Sequence, residues 1–293
     1  MRDSTCPHTP EATFMPRSPA VRIEVSGSTS TVVLARPAVR NAVDGPTAQA
    51  LADVFHSVEA DSGIAAAVLW GEGKTFCSGA GLKAVGTPRG NRLSPRRRRP
   101  HGPHPAPAHQ AGGRRPSGHA VAGGLELALW CDLRIAEEDA VFGVFCRRWG
   151  VPLVDGGTVR LPRVVGAGRA ADLVLTGRPV PAREAHEIGL ADRLVPPGQA
   201  RTAAEELAAG LARFPQTCLR TDLASLRTQA GLTEPEAPAE EFAHAADAVA
   251  AAGEGAARFS AGAGRHGTFD QCGACPRGHL TEDSRSRFSA SGP

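Results

Sequence analysis

Hydrophobic positions in the first third of the chain change from strand-like to helix-like spacing. Two short β-rich runs, residues 21–25 and 31–35, flank a Gly/Ser/Thr-rich link and predict a hairpin. Asp44 then precedes a helical pattern over residues 47–60 and is predicted to cap it. The continuous apolar run 65–70 predicts a buried strand. This order of elements favours an α/β domain.

The rest of the chain becomes more helical. Residues 120–136 predict a small-residue turn, then a helix, then a strand. Further helices are predicted over residues 166–175, 181–187, 201–214 and 240–252. The last two of these are rich in alanine and amphipathic. We therefore expect an α/β core over residues 21–200 and a C-terminal helical region over residues 201–269.

Three segments depart from the pattern. Residues 1–20 are polar with four prolines, and residues 270–293 hold two large apolar side chains, so both are expected to be disordered. Residues 92–118 contain six prolines and seven arginines but no acid. Because proline lacks the N–H that a sheet requires, no strand is expected in this segment, and its composition predicts disorder. Its composition is also that of GC-rich DNA read out of frame, so one hypothesis is that a compensated frameshift produced this segment. For the tail from residue 270, the corresponding hypothesis is read-through beyond the true end of the gene.

Composition and charge exclude several function classes. The chain of 293 residues is 41% hydrophobic and 22% charged, and it holds no run of about 18 apolar residues that would predict a membrane span. The net charge of +3 depends on the arginines of residues 92–118, so the remaining chain is mildly acidic. That segment contains no aromatic residue for stacking on bases, which argues against a nucleic-acid-binding arm.

The cysteines indicate a reducing compartment. Seven are scattered along the chain, and an odd number without regular spacing does not predict a disulfide framework. A cytoplasmic location is therefore expected. Cys272 and Cys275 have only His279 as a further nearby ligand, so no metal site is predicted.

The segment from residue 119 to 128 carries the pattern with the most chemistry. Gly123 and Gly124 precede a helix, where backbone N–H groups are unpaired and negative charge is favoured. Glu126 follows in the first turn. N–H donors beside a carboxylate are suited to a carbonyl that becomes an enolate, although a tight turn with a solvated acid is the simpler interpretation. A second small-residue turn at residues 79–81 could supply an opposing N–H.

Motifs in a fixed order between about residues 21 and 269 resemble the crotonase, or enoyl-CoA hydratase/isomerase, superfamily, with an interruption at 95–118. They include Arg36-Pro37 with Arg40-Asn41-Ala42, Phe76-Cys77-Ser78-Gly79-Ala80, Val121-Ala122-Gly123-Gly124-Leu125-Glu126, Cys131-Asp132, Gly156-Gly157-Thr158 with Leu161-Pro162, and Leu175-Thr176-Gly177-Arg178 with Ala185 and Gly189-Leu190. The resemblance implies an α/β fold, a spiral of ββα units, and C-terminal helices that build a homotrimer or hexamer.

The resemblance also implies a site. The N–H groups of Ala80 and Gly123 would form an oxyanion hole for the thioester oxygen of an acyl-CoA substrate, and Glu126 matches the glutamate that activates water in hydratases. No metal or redox cofactor is implied, since CoA arrives as part of the substrate. The substrate-binding candidates are Ser78, Lys83, Gly124 and Cys146. Lys83 is either a contact to the CoA phosphates or a solvated lysine.

The sequence departs from the family pattern at the position of the second catalytic glutamate. The position that usually holds a second glutamate is here Cys146, which is either a weak proton donor or a small buried side chain. Asp155 is the candidate second carboxylate, or else an acid that caps the following turn. We therefore predict an enoyl-CoA hydratase-like lyase. An isomerase of the same family and a catalytically impaired acyl-CoA-binding protein are the alternatives.

Overall fold

The computed structural model describes residues 19–91, 108–111, 118–250 and 252–264. The strands in this part of the chain are Val21–Ser26 (β1), Thr29–Leu34 (β2), Ala66–Gly71 (β3), Ala108–Ala111 (β4), His119–Val121 (β5), Leu133–Glu137 (β6), Val141–Gly143 (β7), Val180–Pro181 (β8) and Arg193–Val195 (β9). The helices are Gly45–Ala60 (α1), Gly123–Trp130 (α2), Gly157–Val165 (α3), Ala167–Thr176 (α4), Ala182–Glu187 (α5), Ala200–Ala212 (α6), Gln216–Thr228 (α7), Ala237–Ala250 (α8) and Gly253–Ser260 (α9).

Two sheets organise the core. The larger has the strand order β1-β2-β3-β4-β6-β9, in which β1 and β2 form the predicted antiparallel hairpin and the other pairs are parallel. The smaller has the order β5-β7-β8, with β5 and β7 parallel. Parallel neighbours require crossover connections, and α1 provides the one between β2 and β3.

Helix α1 begins and packs as its sequence pattern predicts. Asp44 accepts the N–H of Thr47 at 3.1 Å, which satisfies one of the unpaired donors of the first turn. The apolar positions at helical spacing face the main core and are buried. They are Leu51, Val54, Phe55 and Val58.

The opposite face of the large sheet is covered by α6. Ala200, Ala204 and Ala208 recur every fourth residue along this helix and are fully buried. They pack against a small cluster on the sheet that includes Val68 and Ile135. Because alanine side chains are short, the helix lies close to the strands.

The strand β4 contradicts the expectation that residues 92–118 contain no strand. Ala108–Ala111 pairs in parallel with β3 on one side and β6 on the other. The proline argument fails here because residues 108–115 contain no proline, so every backbone donor needed by this short strand is present. The predicted disorder of residues 1–20 and 270–293 falls outside the described residues, apart from a turn at residues 19 and 20.

The C-terminal helices are less buried than the core. In the described residues after 215, large apolar side chains lie exposed on α7, α8 and α9. These are Leu226, Phe242, Val249 and Phe259. None of the helices in the described part of the chain has both the length and the apolar character needed to cross a bilayer.

Candidate active site

Two backbone turns meet where the loop after β3 runs alongside β5. The N–H of Cys77 donates to the carbonyl of His119 at 3.1 Å, and the N–H of Val121 donates to the carbonyl of Cys77 at 3.1 Å. We call residues 79–81 the Ala80 turn and residues 122–124 the Gly123 turn. The backbone bonds through Cys77 hold the two turns side by side.

Glycine is required where the turns touch. A Cβ atom on Gly124 would lie 2.0 Å from the carbonyl oxygen of Cys77, and one on Gly79 would lie 2.7 Å from the nitrogen of Gly123. Gly79 also has a φ of +90°, which side chains disfavour. Gly124, predicted to bind substrate, is therefore held against Cys77 by packing.

The Gly123 turn is strained at Ala122. This residue has a φ of 55° and a ψ of −127°, a backbone conformation that a residue with a Cβ rarely adopts. Its N–H donates to the carbonyl of Gly143 at 2.9 Å, which ties the turn to β7. The sharp change of direction starts α2 at Gly123, whose N–H comes too early in the helix for an intrahelical acceptor.

The Ala80 turn leaves a second N–H unpaired. Val43 donates its N–H to the carbonyl of Gly79 at 2.8 Å, and its carbonyl accepts the N–H of Gly81 at 2.9 Å. These two bonds form an isolated β-bridge in which the N–H of Ala80 takes no part. Within the described residues, the N–H groups of Ala80 and Gly123 have no acceptor. A Cβ atom on Gly123 would lie only 3.4 Å from the Ala80 nitrogen, so the two donors are close together.

Glu126 lies one turn into α2 and is 3% exposed. Its Oε1 atom accepts the N–H of Asp155 at 2.9 Å and the N–H of Gly157 at 2.8 Å. Gly157 is the first residue of α3, so the carboxylate also lies at a helix N-terminus. The second carboxylate oxygen takes part in neither of these two bonds.

The electrostatics around Glu126 favour the protonated form. Burial raises the pKa of Glu126, the N–H donors of Gly157 and Asp155 oppose that rise, and the negative charge of Asp155 adds to it. The net result is a pKa above the usual range of a glutamate. A carboxylate whose pKa is raised is a stronger base than an ordinary glutamate, which suits it to accept a proton during a reaction.

The two residues weighed as partners of Glu126 are both near it. Asp155 is exposed, and its backbone carbonyl accepts Nη1 of Arg160 at 2.8 Å. Cys146 is buried in the short helical turn that follows β7, and its pKa is raised by burial and by the charge of Glu126. Asp155 therefore contacts the glutamate through its backbone, and the thiol of Cys146 stays protonated.

The other predicted contacts differ in accessibility. Ser78 is half-buried and donates its N–H to the carbonyl of Arg40 at 3.1 Å. Lys83 is exposed in the short helical turn Leu82–Ala84, three residues after Ala80. No group of three or more His, Cys, Asp or Glu side chains suited to a metal ion occurs in the described part of the chain.

Two residues of this arrangement were missed at the sequence level. Val43 orders the Ala80 turn, and Gly157 positions Glu126, both through backbone atoms. The Gly156-Gly157 pair was visible as a motif, but nothing in the sequence connects it to a carboxylate 31 residues earlier.

A family comparison agrees with this architecture. The sequence profile described as enoyl-CoA hydratase/isomerase matches residues 24–94 and 116–261, which is more than half of the chain. The chain belongs to this enoyl-CoA hydratase/isomerase family. The gap in the match falls within the proline- and arginine-rich segment, where the sequence resemblance was also interrupted.

Individual members of the enoyl-CoA hydratase/isomerase family show the same similarity. Enoyl-CoA hydratase EchA19 of Mycobacterium tuberculosis is 35% identical over 227 residues, which cover 75% of this chain and 84% of the relative. The (E)-benzylidenesuccinyl-CoA hydratase of Thauera aromatica is 35% identical over 198 residues, which cover 64% of this chain and 76% of the relative. The crystal structure of enoyl-CoA hydratase EchA1 from Mycobacterium marinum superposes with a TM-score of 0.76 at 29% identity, over 83% of this chain and 96% of that one. The fold is therefore the crotonase fold.

Proposed function

We propose that this protein adds water across the double bond of a 2-enoyl-CoA thioester, a hydro-lyase reaction. The observation that carries the proposal is the combination of two unpaired N–H groups, from Ala80 and Gly123, with the buried carboxylate of Glu126. The N–H groups would bind the thioester oxygen and stabilise the negative charge that forms on it as the enolate develops. Removal of one such donor typically costs a factor of about 10²–10³ in rate.

A single carboxylate can balance the protons of this reaction. Glu126 would take a proton from water as the water oxygen bonds to the β-carbon and the electron pair of the double bond moves into the enolate. The protonated Glu126 would then return a proton to the α-carbon as the carbonyl re-forms. The N–H donors of Asp155 and Gly157 hold Oε1, which leaves the other oxygen for the water. The raised pKa makes the Glu126 carboxylate a stronger base for the first transfer, from water.

Asp155 is proposed as the partner of Glu126 through its charge, which raises the pKa of the glutamate. Ser78 and Lys83 are proposed to meet the substrate at the edge of the Ala80 turn. Carbonyl polarisation comes from backbone donors in this proposal, so no metal or redox cofactor enters it. CoA is part of the substrate.

A homotrimer or hexamer in the cytoplasm is the proposed assembly and location. Four large apolar side chains lie exposed on the C-terminal helices, and contact with further copies of the chain would bury them. Cys77, Cys131, Cys146 and Cys218 are free thiols, as in a reducing compartment.

An isomerase of the same family is the second candidate. Among the described residues around Glu126, the neighbouring side chain at the family's second acid position is the thiol of Cys146. A single carboxylate that moves a proton between two carbons is also sufficient to shift a double bond. Rates on matched 2-enoyl-CoA and 3-enoyl-CoA substrates distinguish the two activities. An acyl-CoA-binding protein without catalysis would turn over neither substrate.

Glu126→Gln tests the proposed function. The amide keeps the shape and an oxygen for the N–H donors but cannot move the proton, so turnover of 2-enoyl-CoA should fall by roughly 10²–10⁴. Glu187→Gln, at an exposed position on α5, is the matched control and should keep the wild-type rate. An unchanged, measurable rate in Glu126→Gln would refute the role of Glu126. Acyl-CoA binding without turnover by the wild-type protein would favour the non-catalytic alternative.

A further inference from the structure

A cluster of charged side chains lies beside the Ala80 turn. The carboxylate of Asp44, only 5% exposed, accepts the N–H of Thr47 as the cap of α1. Its Oδ1 atom also lies 3.1 Å from Nη1 of Arg36, and its Oδ2 atom lies 2.7 Å from Nη2 of Arg89. Burial raises the pKa of Asp44, but the hydrogen bonds from Thr47 and Arg89 and the charge of Arg36 together hold it well below its usual range.

The negative charge of Asp44 is not needed for its role as a helix cap. Capping needs only a side-chain oxygen, and Asn serves nearly as well as Asp at this position. Arg89 lies 45 residues further along the chain, in the loop of residues 81–91 that follows the Ala80 turn. The guanidinium therefore links the start of α1 to the far end of that loop.

Backbone contacts reinforce the same link. The carbonyl of Arg89 accepts the N–H of Gly45 at 2.8 Å, and Nδ2 of Asn91 donates to the carbonyl of Val43 at 3.1 Å. A Cβ atom on Gly45 would lie 2.7 Å from the carbonyl oxygen of Gly90, so the loop is packed directly on the chain at this point. The end of the 81–91 loop is thus fixed on residues 43–45.

The start of the loop is fixed on the same residues. Val43, adjacent to Asp44, donates to Gly79 and accepts from Gly81, and it thereby holds both neighbours of Ala80. Residues 43–45 therefore bind the loop at both ends. Two backbone hydrogen bonds therefore connect this segment directly to the turn that carries the N–H of Ala80.

We propose that Asp44 and Arg89 are positioning residues, whose ion pair fixes the 81–91 loop on residues 43–45 and so holds the N–H of Ala80 in place for the thioester oxygen. The catalytic part of this inference rests on the proposed function, whereas the part in which the ion pair orders the loop does not. The side chain of Arg89 is 63% exposed, so solvent screens the pair and its contribution to global stability is small. The effect is local order in the Ala80 turn.

The test combines hydrogen–deuterium exchange of peptides spanning residues 78–91 with steady-state kinetics on a 2-enoyl-CoA. Arg89→Gln removes the ion pair, Arg89→Lys keeps the charge, and Asp44→Asn keeps the cap but loses the charge. Arg22→Gln is the control, because Arg22 forms a comparable ion pair with Glu72 outside the loop, at 3.0 Å.

We expect Arg89→Gln and Asp44→Asn to accelerate exchange in peptides 78–91, with Arg89→Lys closer to wild type. Misplaced transition-state contacts lower kcat more than KM, so kcat should fall about tenfold while KM stays within about twofold. Unchanged exchange in Arg89→Gln, an equal change in Arg22→Gln, or faster exchange with unchanged kcat would each overturn the inference. Absence of turnover by the wild-type protein would instead refute the proposed function, and the exchange result alone would then decide whether the ion pair orders the loop.

Discussion

Glu126 and Gly157 are in direct contact through a hydrogen bond from the Gly157 N–H to Oε1, with a length of 2.8 Å. The contact leaves no space for a side chain, because a Cβ atom on Gly157 would lie 2.9 Å from Cγ and 3.0 Å from Oε1 of Glu126. The orientation of the carboxylate therefore depends on glycine at the first position of α3.

Gly157→Ala is expected to displace Glu126 and lower kcat by about 10²-fold, because small misplacements of a reacting group have effects of that order. Gly168→Ala is the matched control, since a Cβ at that position of α4 meets no atom within 4 Å. The control should keep full activity and a melting temperature close to that of the wild-type protein. Kinetics and thermal unfolding of both variants check the prediction, and equal kinetics in the two would contradict it.

The pH profile of kcat/KM should show the raised pKa of Glu126. In the proposed reaction the carboxylate is the form that activates water, so activity should fall as the pH drops through this pKa. Because the pKa is raised, the fall should occur above pH 4.3, the ordinary value for a glutamate. Asp155→Asn removes a negative charge that raises this pKa, so it should move the acidic limb to lower pH. A limb that moves upward or stays in place would contradict the assignment.

The same shift predicts a cost in stability. A carboxyl group whose pKa is higher in the folded than in the unfolded state binds more protons when folded, so its contribution to the free energy of unfolding decreases as the pH rises between the two values. Glu126→Gln has no such titration. The melting temperature of the wild-type protein should therefore fall relative to that of Glu126→Gln as the pH rises from 4 to 8, and parallel curves would show that the burial of Glu126 has no such cost.

Local patterns in the sequence predicted the elements, but not the contacts that orient Glu126. Helix α1 was predictable because its buried positions repeat at helical spacing behind the cap Asp44. The bonds from Asp155 and Gly157 to Glu126 join residues 29 and 31 positions apart through backbone N–H groups, which any residue other than proline carries. Glycine at position 157 leaves room for the contact, but residue identity does not show which carboxylate accepts these bonds.

The strand β4 was wrongly excluded by the composition of its segment. A compositional argument over residues 92–118 excluded strands, but four residues without proline are enough to occupy the position between β3 and β6. The flanking strands supply hydrogen-bond partners on both sides, and this pairing outweighs the poor strand propensity of the surrounding segment.

The paired glycines of the Gly123 turn should respond differently to substitution. A methyl group on Gly123 would lie 3.4 Å from the Ala80 nitrogen, an ordinary contact that leaves the fold intact but obstructs the space between the two donors. A methyl group on Gly124 would lie 2.0 Å from the Cys77 carbonyl and would force the turns apart. Gly123→Ala is thus expected to lose about 10²–10³ in kcat at nearly unchanged melting temperature. Gly124→Ala should lower the melting temperature as well, and the reverse order of stabilities would refute this packing.

Cys146 is the residue to test for a second proton donor beside Glu126. Burial and the charge of Glu126 raise its pKa, so the thiol is a poor source of charge at neutral pH, and its small volume suits a packing role. We therefore expect Cys146→Ala to keep kcat within about threefold of wild type, whereas a thiol that protonated the α-carbon would give a loss of about 10²-fold or more. Cys131→Ala removes another buried thiol, whose pKa burial raises to about 12, and controls for the loss of packing. A large loss of kcat in Cys146→Ala alone would make the thiol the second acid, and Glu126 would then act only on the water.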